Sequence, residues 1–297
     1  MSHASPSSPG GAPKATVEDV RPTLATEDTY EVLRRKFIAN GARSVIDSAQ
    51  RRDMVRRFEE IDRSVPLATT PTDGLLLAEM LMNTSAVGDV VECGCFSGGS
   101  SAKLSIVAAA LRKRLTIFDS FQGLLVVDDY DRNDFHARRH TGWLPTWHSG
   151  KYSASLESVR GNITAYGEIS VCDFVPGYVE DTLRAPELPE RIAVAFTDVD
   201  TPSAVRTCLT RIWPGLAPGG VYASHDVALL KSLQVLLSES VWRDEIGEFP
   251  PILFGAGFGV CDAAPHMGYF VKGQNLSAEY LKSLTIDKLT IDERRTD

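Results

Sequence analysis

The chain has 297 residues and a formal net charge of −8, and 43% of its residues are hydrophobic and 24% charged. This composition is typical of a globular protein with one large domain or two small ones. The acidic balance argues against nucleic acid as the main partner. No apolar run is long enough to cross a bilayer, and the five scattered cysteines favour a reducing compartment. We therefore expect a cytoplasmic protein with neither a nucleic-acid nor a membrane partner.

The N-terminal part of the chain is predicted to lie outside the main domain. Residues 1–20 are rich in Ser, Pro and Gly and are expected to form a disordered tail. Residues 21–64 are predicted to form a helical extension, in which the pairs Arg51–Arg52 and Arg56–Arg57 indicate a solvated face. The extension could pack a dimer or cover a substrate, and the residues alone leave both open. We expect a homo-oligomer.

A glycine-rich turn between a strand and a helix organises the main domain, which is predicted to span residues 65–275. The strand at Val90–Val91 ends in Glu92, and Gly94 and Gly98 allow a sharp turn and a close approach to a ligand. Dinucleotide, nucleotide and S-adenosylmethionine (SAM) folds all share such a turn. The spacing is neither G-x-G-x-x-G nor a Walker A loop. A carboxylate here would repel a pyrophosphate but suits the cationic aminopropyl group of SAM.

The elements around this turn alternate between helix and strand. A buried helix begins at Thr70, with Asp73 placed as in a capping box. A second strand, residues 115–118, ends in Asp119, which is placed to accept hydrogen bonds from ribose hydroxyls. Further strands are predicted at 169–172, 191–196, 221–224, 255–260 and 267–271, the last two as a closing hairpin. Helices are predicted at 152–166, 202–213 and 227–241, and a turn at 217–220. This alternation implies a mainly parallel sheet.

Residues 123–151 do not fit a regular element. The segment is acidic at first and then rich in histidine and tryptophan, including His136 and Trp147. Irregular segments of this length inside a compact domain are usually functional or disordered. The aromatic content favours an active-site insertion, and a surface loop with incidental histidines is the alternative.

Five motifs occur in one order along the main domain. They are Gly88–Gly94 with Gly98–Ser100, Phe118–Gly123, Gly177–Leu183, Asp198–Asp200 and Leu216–Gly220. With them the chain resembles the macrocin O-methyltransferase family, SAM-dependent enzymes that methylate sugar hydroxyls in bacterial natural-product pathways. The resemblance covers residues 65–272. It implies an α/β, Rossmann-like SAM-methyltransferase fold with a mainly parallel seven-stranded sheet and extra N-terminal helices, followed by a C-terminal tail at 276–297.

The resemblance also implies which residues bind the cofactor and a metal. The cofactor-binding residues would be Thr70, Glu92, Gly94, Ser100, Asp119, Ser120, Gly177 and Tyr178. A divalent cation such as Mg²⁺ would be held by Asp198 together with His225 and Asp226, which follow the fifth strand. The family has two acidic residues at that pair, so His225 is a departure. Histidine can ligate a metal, but an oxygen-only Mg²⁺ site prefers carboxylates.

Methyl transfer is an in-line displacement that needs an aligned acceptor oxygen and a group that removes its proton. Asp200 is the first candidate for the general base, and His136 is the second. The alternatives are that Asp200 caps a helix and that His225 only supports its neighbours. The expected function is O-methylation of a sugar or glycosylated small metabolite in antibiotic biosynthesis, with that molecule as the partner. A phenolic or catechol acceptor, or a non-catalytic SAM-fold binding protein, are the alternatives.

Overall fold

The structure, a computed structural model, describes residues 27–126, 131, 147–183, 188–255 and 267–274. The predicted tails at 1–20 and 276–297 lie outside these ranges. So does most of the predicted insertion, including the candidate base His136. Within the described ranges, no helix combines the length and the apolar character needed to cross a membrane.

A seven-stranded sheet lies at the centre of the described chain. Its strands are β1 Asp89–Cys93, β2 Leu115–Asp119, β3 Cys172–Pro176, β4 Ile192–Thr197, β5 Leu216–Ser224, β6 Phe254–Gly255 and β7 Gly268–Val271. The order is β3-β2-β1-β4-β5-β7-β6. Strands β1 to β5 pair in parallel, and β7 is antiparallel to both β5 and β6. The predicted mainly parallel sheet is confirmed. The strand predicted at 169–172 is wrong, because Ile169–Val171 form a 3₁₀ turn and β3 begins at Cys172. Of the strand predicted at 255–260, only Gly255 lies within the described residues, where it pairs antiparallel with β7.

The helices follow the predicted alternation, with shifts at their ends. The α-helices are α1 Glu27–Asn40, α2 Ser48–Ser64, α3 Pro71–Asn83, α4 Gly99–Ala110, α5 Leu156–Tyr166, α6 Val179–Thr182, α7 Pro202–Ile212 and α8 Leu230–Leu236. The helix predicted at 227–241 is broken into a 3₁₀ turn, α8 and a π-helix at Val241–Ile246. The turn predicted at 217–220 is wrong, because the backbones of Gly219 and Gly220 pair with Lys272 and so extend β5.

The core lies on both faces of the sheet. Successive strand residues alternate between two hydrophobic clusters, as Val90 and Val91 of β1 do. One cluster packs the sheet against α2, α3, α4 and α5, and the other packs it against α7 and α8. Because both faces are covered, the central strands are buried along nearly their whole length. In an open sheet of this kind, ligands bind at the carboxyl ends of the strands.

The N-terminal helices pack on this domain, and one prediction about them is wrong. Arg51 does not lie on a solvated face but is fully buried. Its guanidinium donates to the backbone oxygen of Phe37 at 3.0 Å and pairs with Glu79 of α3 at 2.8 Å. Arg52 and Arg56 are exposed as predicted, whereas Arg57 is half-buried and pairs with Glu168 at 2.8 Å. Charge spacing along one helix could not show that α1 and α3 enclose this particular arginine.

Candidate functional site

The glycine-rich turn joins β1 to α4 as predicted. Gly94 and Gly98 have φ angles of +81° and +83°, which glycine adopts at little cost. A Cβ atom at Gly94 would lie 2.0 Å from the backbone oxygen of Asp198, so no larger residue fits. Gly98 occupies the position before the first turn of α4, and buried Ser100 lies within that turn. The turn is therefore packed directly against the end of β4.

Glu92 is fully buried at the end of β1. Its Oε2 atom accepts a hydrogen bond from the Ser101 hydroxyl, whereas Oε1 accepts none within the described part of the chain. Burial raises the pKa of Glu92 to about 7, although the hydroxyls of Ser100 and Ser101 favour the ionised form. A buried carboxylate oxygen without a donor can accept a hydrogen bond from a cationic ligand.

Asp119 ends the neighbouring strand β2. Its two oxygens accept the backbone N–H groups of Cys95 and Phe121, each at 2.7 Å. Because a carboxylate oxygen can accept more than one hydrogen bond, both remain available to ribose hydroxyls. The Ser120 hydroxyl donates to the backbone oxygen of Gly123 at 2.8 Å. Ser120 therefore stabilises the turn that follows β2.

The other predicted cofactor residues lie near the same edge or serve the local fold. Gly177 follows β3, has a φ of +140° and donates its N–H to the Asp119 backbone oxygen at 2.9 Å. Tyr178 is the N-cap residue of α6. Thr70 caps α3, and its N–H and hydroxyl both donate to Asp73, at 2.7 and 2.8 Å. The ends of β1, β2 and β3 thus bring together Glu92, Gly94, Ser100, Asp119, Ser120, Gly177 and Tyr178.

A cluster of three carboxylates lies where β4 and β5 end. One oxygen from each of Asp198, Asp200 and Asp226 lies within 4.8 Å of the others. Asp226 accepts the backbone N–H groups of Val199 and Asp200, both at 3.1 Å. These bonds hold Asp200 at a φ of +63°, a conformation that non-glycine residues rarely adopt. The side chain of Asp226 therefore fixes the turn that presents Asp200.

The carboxylates of this cluster change one another's proton affinity. Burial, and then the charges of Asp226 and Asp198, raise the pKa of Asp200 well above its ordinary value. Burial and the charge of Asp198 raise the pKa of Asp226 to about 7. Carboxylates crowded in this way favour a bound proton or cation. Three hard oxygen donors at this spacing fit a divalent cation such as Mg²⁺.

His225 lies beside this cluster with its ring between two carboxylates. Its Nε2 atom is 3.3 Å from Oδ2 of Asp73, and its Nδ1 atom is 3.4 Å from Oδ1 of Asp198. Burial disfavours the imidazolium, yet these two carboxylates raise the pKa of His225 well above its ordinary value. The predicted ligands Asp198 and Asp226 thus come together with Asp200, whereas both ring nitrogens of His225 face other side chains.

Asp200 is not the N-cap of α7. The N-cap position belongs to Thr201, and none of the described side chains caps this helix through a hydrogen bond. The structure therefore does not support the helix-cap alternative for Asp200.

Two residues near the cluster, Asp73 and Lys151, were missed from the sequence as site residues. Asp73 was predicted only as part of a capping box. The Lys151 ammonium group lies 4.4 Å from the ring centre of Trp147 and 4.9 Å from that of Tyr152. Burial lowers the pKa of Lys151 and the charge of Asp200 opposes this, so Lys151 borders the carboxylates. The one signal in the sequence was the aromatic content of the predicted insertion.

Comparisons with known proteins agree with this geometry. The model of the family Macrocin-O-methyltransferase (TylF) matches residues 76–246. The 8-demethyl-8-(2,3-dimethoxy-alpha-L-rhamnosyl)-tetracenomycin-C 4'-O-methyltransferase of Streptomyces olivaceus is 33% identical over 157 residues, 51% of this chain and 57% of that protein. The mycinamicin III 3''-O-methyltransferase of Micromonospora griseorubida is 33% identical over 161 residues, 51% of this chain and 59% of that protein. The chain therefore spans less than two thirds of the length of these curated relatives.

Two solved structures share the fold at low sequence identity. The O-methyltransferase NovP has a TM-score of 0.54 and 20% identity, covering 82% of this chain and 97% of its own. The calicheamicin methyltransferase CalS11 has a TM-score of 0.51 and 18% identity, covering 89% of this chain and 100% of its own. The predicted Rossmann-like SAM-methyltransferase fold is confirmed. Because the family model matches more than half of the residues, the chain belongs to the macrocin O-methyltransferase family.

Proposed function

We propose that this protein is a SAM-dependent O-methyltransferase that acts on a hydroxyl of a sugar or glycosylated small metabolite in antibiotic biosynthesis. One observation carries the proposal: the glycine turn and the carboxylate cluster lie at adjacent strand ends, with Gly94 packed against the backbone of Asp198. Family membership supports methyl transfer. The relative named for a rhamnosyl-tetracenomycin supports a sugar as the acceptor.

The residues at the ends of β1 to β3 fit the cofactor. Glu92, Gly94 and Ser100 would face the methionine part of SAM, where the unpartnered Oε1 atom of Glu92 suits a cationic amino group. Asp119 would accept hydrogen bonds from the ribose hydroxyls. Gly177 would lie near the adenine, with Tyr178, Ser120 and Thr70 around the same site.

The residues at the ends of β4 and β5 fit a divalent cation. Asp198 and Asp226 would hold it, since each brings one carboxylate oxygen within 4.8 Å of the other. A bound divalent cation would lower the pKa of an acceptor hydroxyl. Calorimetric titration of Mg²⁺ into the protein tests this site. Heat of binding that is lost in Asp226→Asn supports it, and no binding contradicts it.

The proposed general base is Asp200, which would remove the proton from the acceptor hydroxyl. A carboxylate can take the proton of an acceptor hydroxyl that lies within its reach, and Asp200 lies at the end of the sheet with one oxygen within 4.8 Å of Asp198 and Asp226. The left-handed backbone held by Asp226 fixes this carboxylate before the acceptor arrives. When bound, SAM would supply the methyl group, which would pass to the acceptor oxygen as its bond to sulfur breaks. His136, the second candidate, stays a prediction, as do the homo-oligomer and the cytoplasmic location.

The experiment that tests this proposal combines cofactor binding with an acceptor panel. Calorimetry is expected to show binding of SAM and of its demethylated product, S-adenosylhomocysteine. Rhamnosides and other glycosides are expected to accept the methyl group, and catechols are not. Binding of neither cofactor form would contradict the proposal. Methylation of catechols alone would support the phenolic alternative, and binding without transfer would support a non-catalytic protein.

A further inference from the structure

Three side chains form a continuous chain from the start of α3 to the carboxylate cluster. Asp73, the ring of His225 and Asp198 lie in that order, with separations of 3.3 Å and 3.4 Å between their polar atoms. The side chain of Asp73 is 1% exposed, that of His225 is 10% exposed and that of Asp198 is 15% exposed. Little water therefore competes for these contacts.

The first member of this chain is held firmly in place. The Oδ2 atom of Asp73 accepts the N–H and the hydroxyl of Thr70, and the same atom faces Nε2 of His225. A capping box usually carries Glu or Gln at this position. The shorter Asp side chain keeps the carboxylate at the beginning of α3, within reach of the histidine. Capping alone does not account for the contact with His225.

The other two members are tied to the sheet through their backbones. The N–H of His225 donates to the backbone oxygen of Thr197, and the N–H of Asp198 donates to that of Cys93, both at 2.9 Å. The remaining freedom of His225 is rotation of its side chain. Contacts at both Nδ1 and Nε2 remove that freedom and occupy the two atoms that could ligate a metal.

We infer that Asp73 is a positioning residue that fixes the ring of His225, which in turn fixes the carboxylate of Asp198. In this arrangement His225 is a brace and not a metal ligand. The inference rests on the proposed function, because the orientation of Asp198 matters for activity only if the carboxylate cluster serves methyl transfer. It links α3, which precedes the cofactor turn, to the far side of the cleft.

The test is a double-mutant cycle with Asp73→Asn and His225→Asn. Asparagine at position 73 keeps an oxygen for the N–H of Thr70 but loses the carboxylate. We expect each single change to lower kcat by roughly ten- to a hundredfold, the range typical of groups that orient the ligands of a site. The double variant should be no slower than the slower single variant, because Asp73 acts through the ring. A double variant whose fold-loss in kcat equals the product of the two single losses would overturn the inference.

A matched control separates positioning from helix capping. Asp47 caps α2, where its Oδ1 accepts the N–H groups of Ala49 and Gln50 at 2.8 and 2.9 Å. Asp47→Asn makes the same chemical change in the other capping box, and kcat should stay at the wild-type value. An equal loss of kcat in Asp47→Asn and Asp73→Asn would show that only capping matters.

A measurement on the ring tests the first contact without turnover. The ring N–H signals of His225, assigned by NMR through their loss in His225→Asn, should exchange slowly with water in the wild type and rapidly in Asp73→Asn. Unchanged exchange would overturn the inference, whereas failure of the proposed function would show in the wild type as missing cofactor binding. If Asp73→Asn does not fold, His225→Gln and His225→Asn decide. Each variant can keep only one of the contacts that His225 makes with Asp73 and Asp198. A wild-type kcat in either variant would therefore contradict the positioning role of His225.

Discussion

The two halves of the sheet edge are built in different ways. At the ends of β1 to β3, tight glycines and backbone N–H groups shape the surface, and Asp119 is bonded to that backbone. At the ends of β4 and β5, charged side chains shape it, and Asp226 holds Asp200 in a rare backbone conformation. The first half is suited to binding a cofactor of fixed shape, and the second is suited to moving a proton. Substitutions at the ends of β1 to β3 should therefore weaken cofactor binding, whereas substitutions at the ends of β4 and β5 should lower the rate of methyl transfer.

The largest effect is expected for Asp200→Asn. Loss of a general base typically lowers the rate by about 10²- to 10⁴-fold, and asparagine has nearly the same shape as aspartate. Measured kcat with a glycoside acceptor should fall within that range. A kcat within a few-fold of wild type would remove Asp200 from the proton transfer and leave His136 as the candidate.

Glu92→Gln is expected to raise the stability of the folded protein at high pH while it weakens cofactor binding. The pKa of Glu92 in the folded chain is about 7, above its ordinary value of 4.5. Its protonation therefore favours the folded state below pH ~4.5, and this contribution is lost as the pH rises through 7. The loss amounts to about 3 kcal/mol at most. Denaturant unfolding should show that Glu92→Gln is more stable than wild type near pH 8 but binds S-adenosylhomocysteine more weakly.

The control for this variant is Glu190→Gln, which changes an exposed carboxylate. Its free energy of unfolding should follow the wild-type pH dependence. If Glu92→Gln follows the same dependence, the buried carboxylate is not the source of the pH effect.

Gly94→Ala tests the shape of the cofactor turn. The new Cβ atom would lie 2.0 Å from a backbone oxygen at a φ of +81°, so the free energy of unfolding should fall by about 1–3 kcal/mol. Gly161→Ala is the matched control, because Gly161 is exposed within α5 and a Cβ atom there meets nothing within 4 Å. That change should stabilise the protein by up to about 1 kcal/mol. Equal effects at both positions in thermal unfolding would contradict the tight turn.

The smallest effect is expected for Asp119→Asn. The backbone N–H groups of Cys95 and Phe121 can each still find an acceptor or water, so the fold should persist. Weaker hydrogen bonds to the ribose should raise the KM for SAM by about tenfold, with kcat unchanged at saturating SAM. A lower kcat with an unchanged KM for SAM would contradict a role of Asp119 in cofactor binding.

The first half of the edge could be predicted from the sequence because its signals are local. Glycines at fixed spacing and carboxylates after short apolar strands predict the turn and the positions of Glu92 and Asp119 at the strand ends, and the alternation of strands and helices predicts the parallel pairing of β1 to β5. The position of each of these residues follows from its place at the end of a strand or in a turn and does not depend on contacts with residues far away in the sequence.

The second half depends on contacts between residues far apart in the chain. Nothing in the sequence shows that Asp73 reaches His225, because the two lie 152 positions apart and Asp73 already has a local role as a helix cap. Arg51 fails for the same reason, since burial by α1 and α3 overrides its place in an arginine pair. Segment 217–220 resembles a turn, and only its pairing with Lys272 makes it part of β5.

The most direct test of the division between the two halves is a calorimetric titration of S-adenosylhomocysteine into Asp200→Asn. The carboxylate cluster is proposed to act on the acceptor and the glycine turn on the cofactor. The affinity should therefore stay within about twofold of wild type, far less than the factor of ten that 1.4 kcal/mol would produce, in a protein that has lost nearly all turnover. A fall in affinity that parallels the fall in kcat would contradict the account.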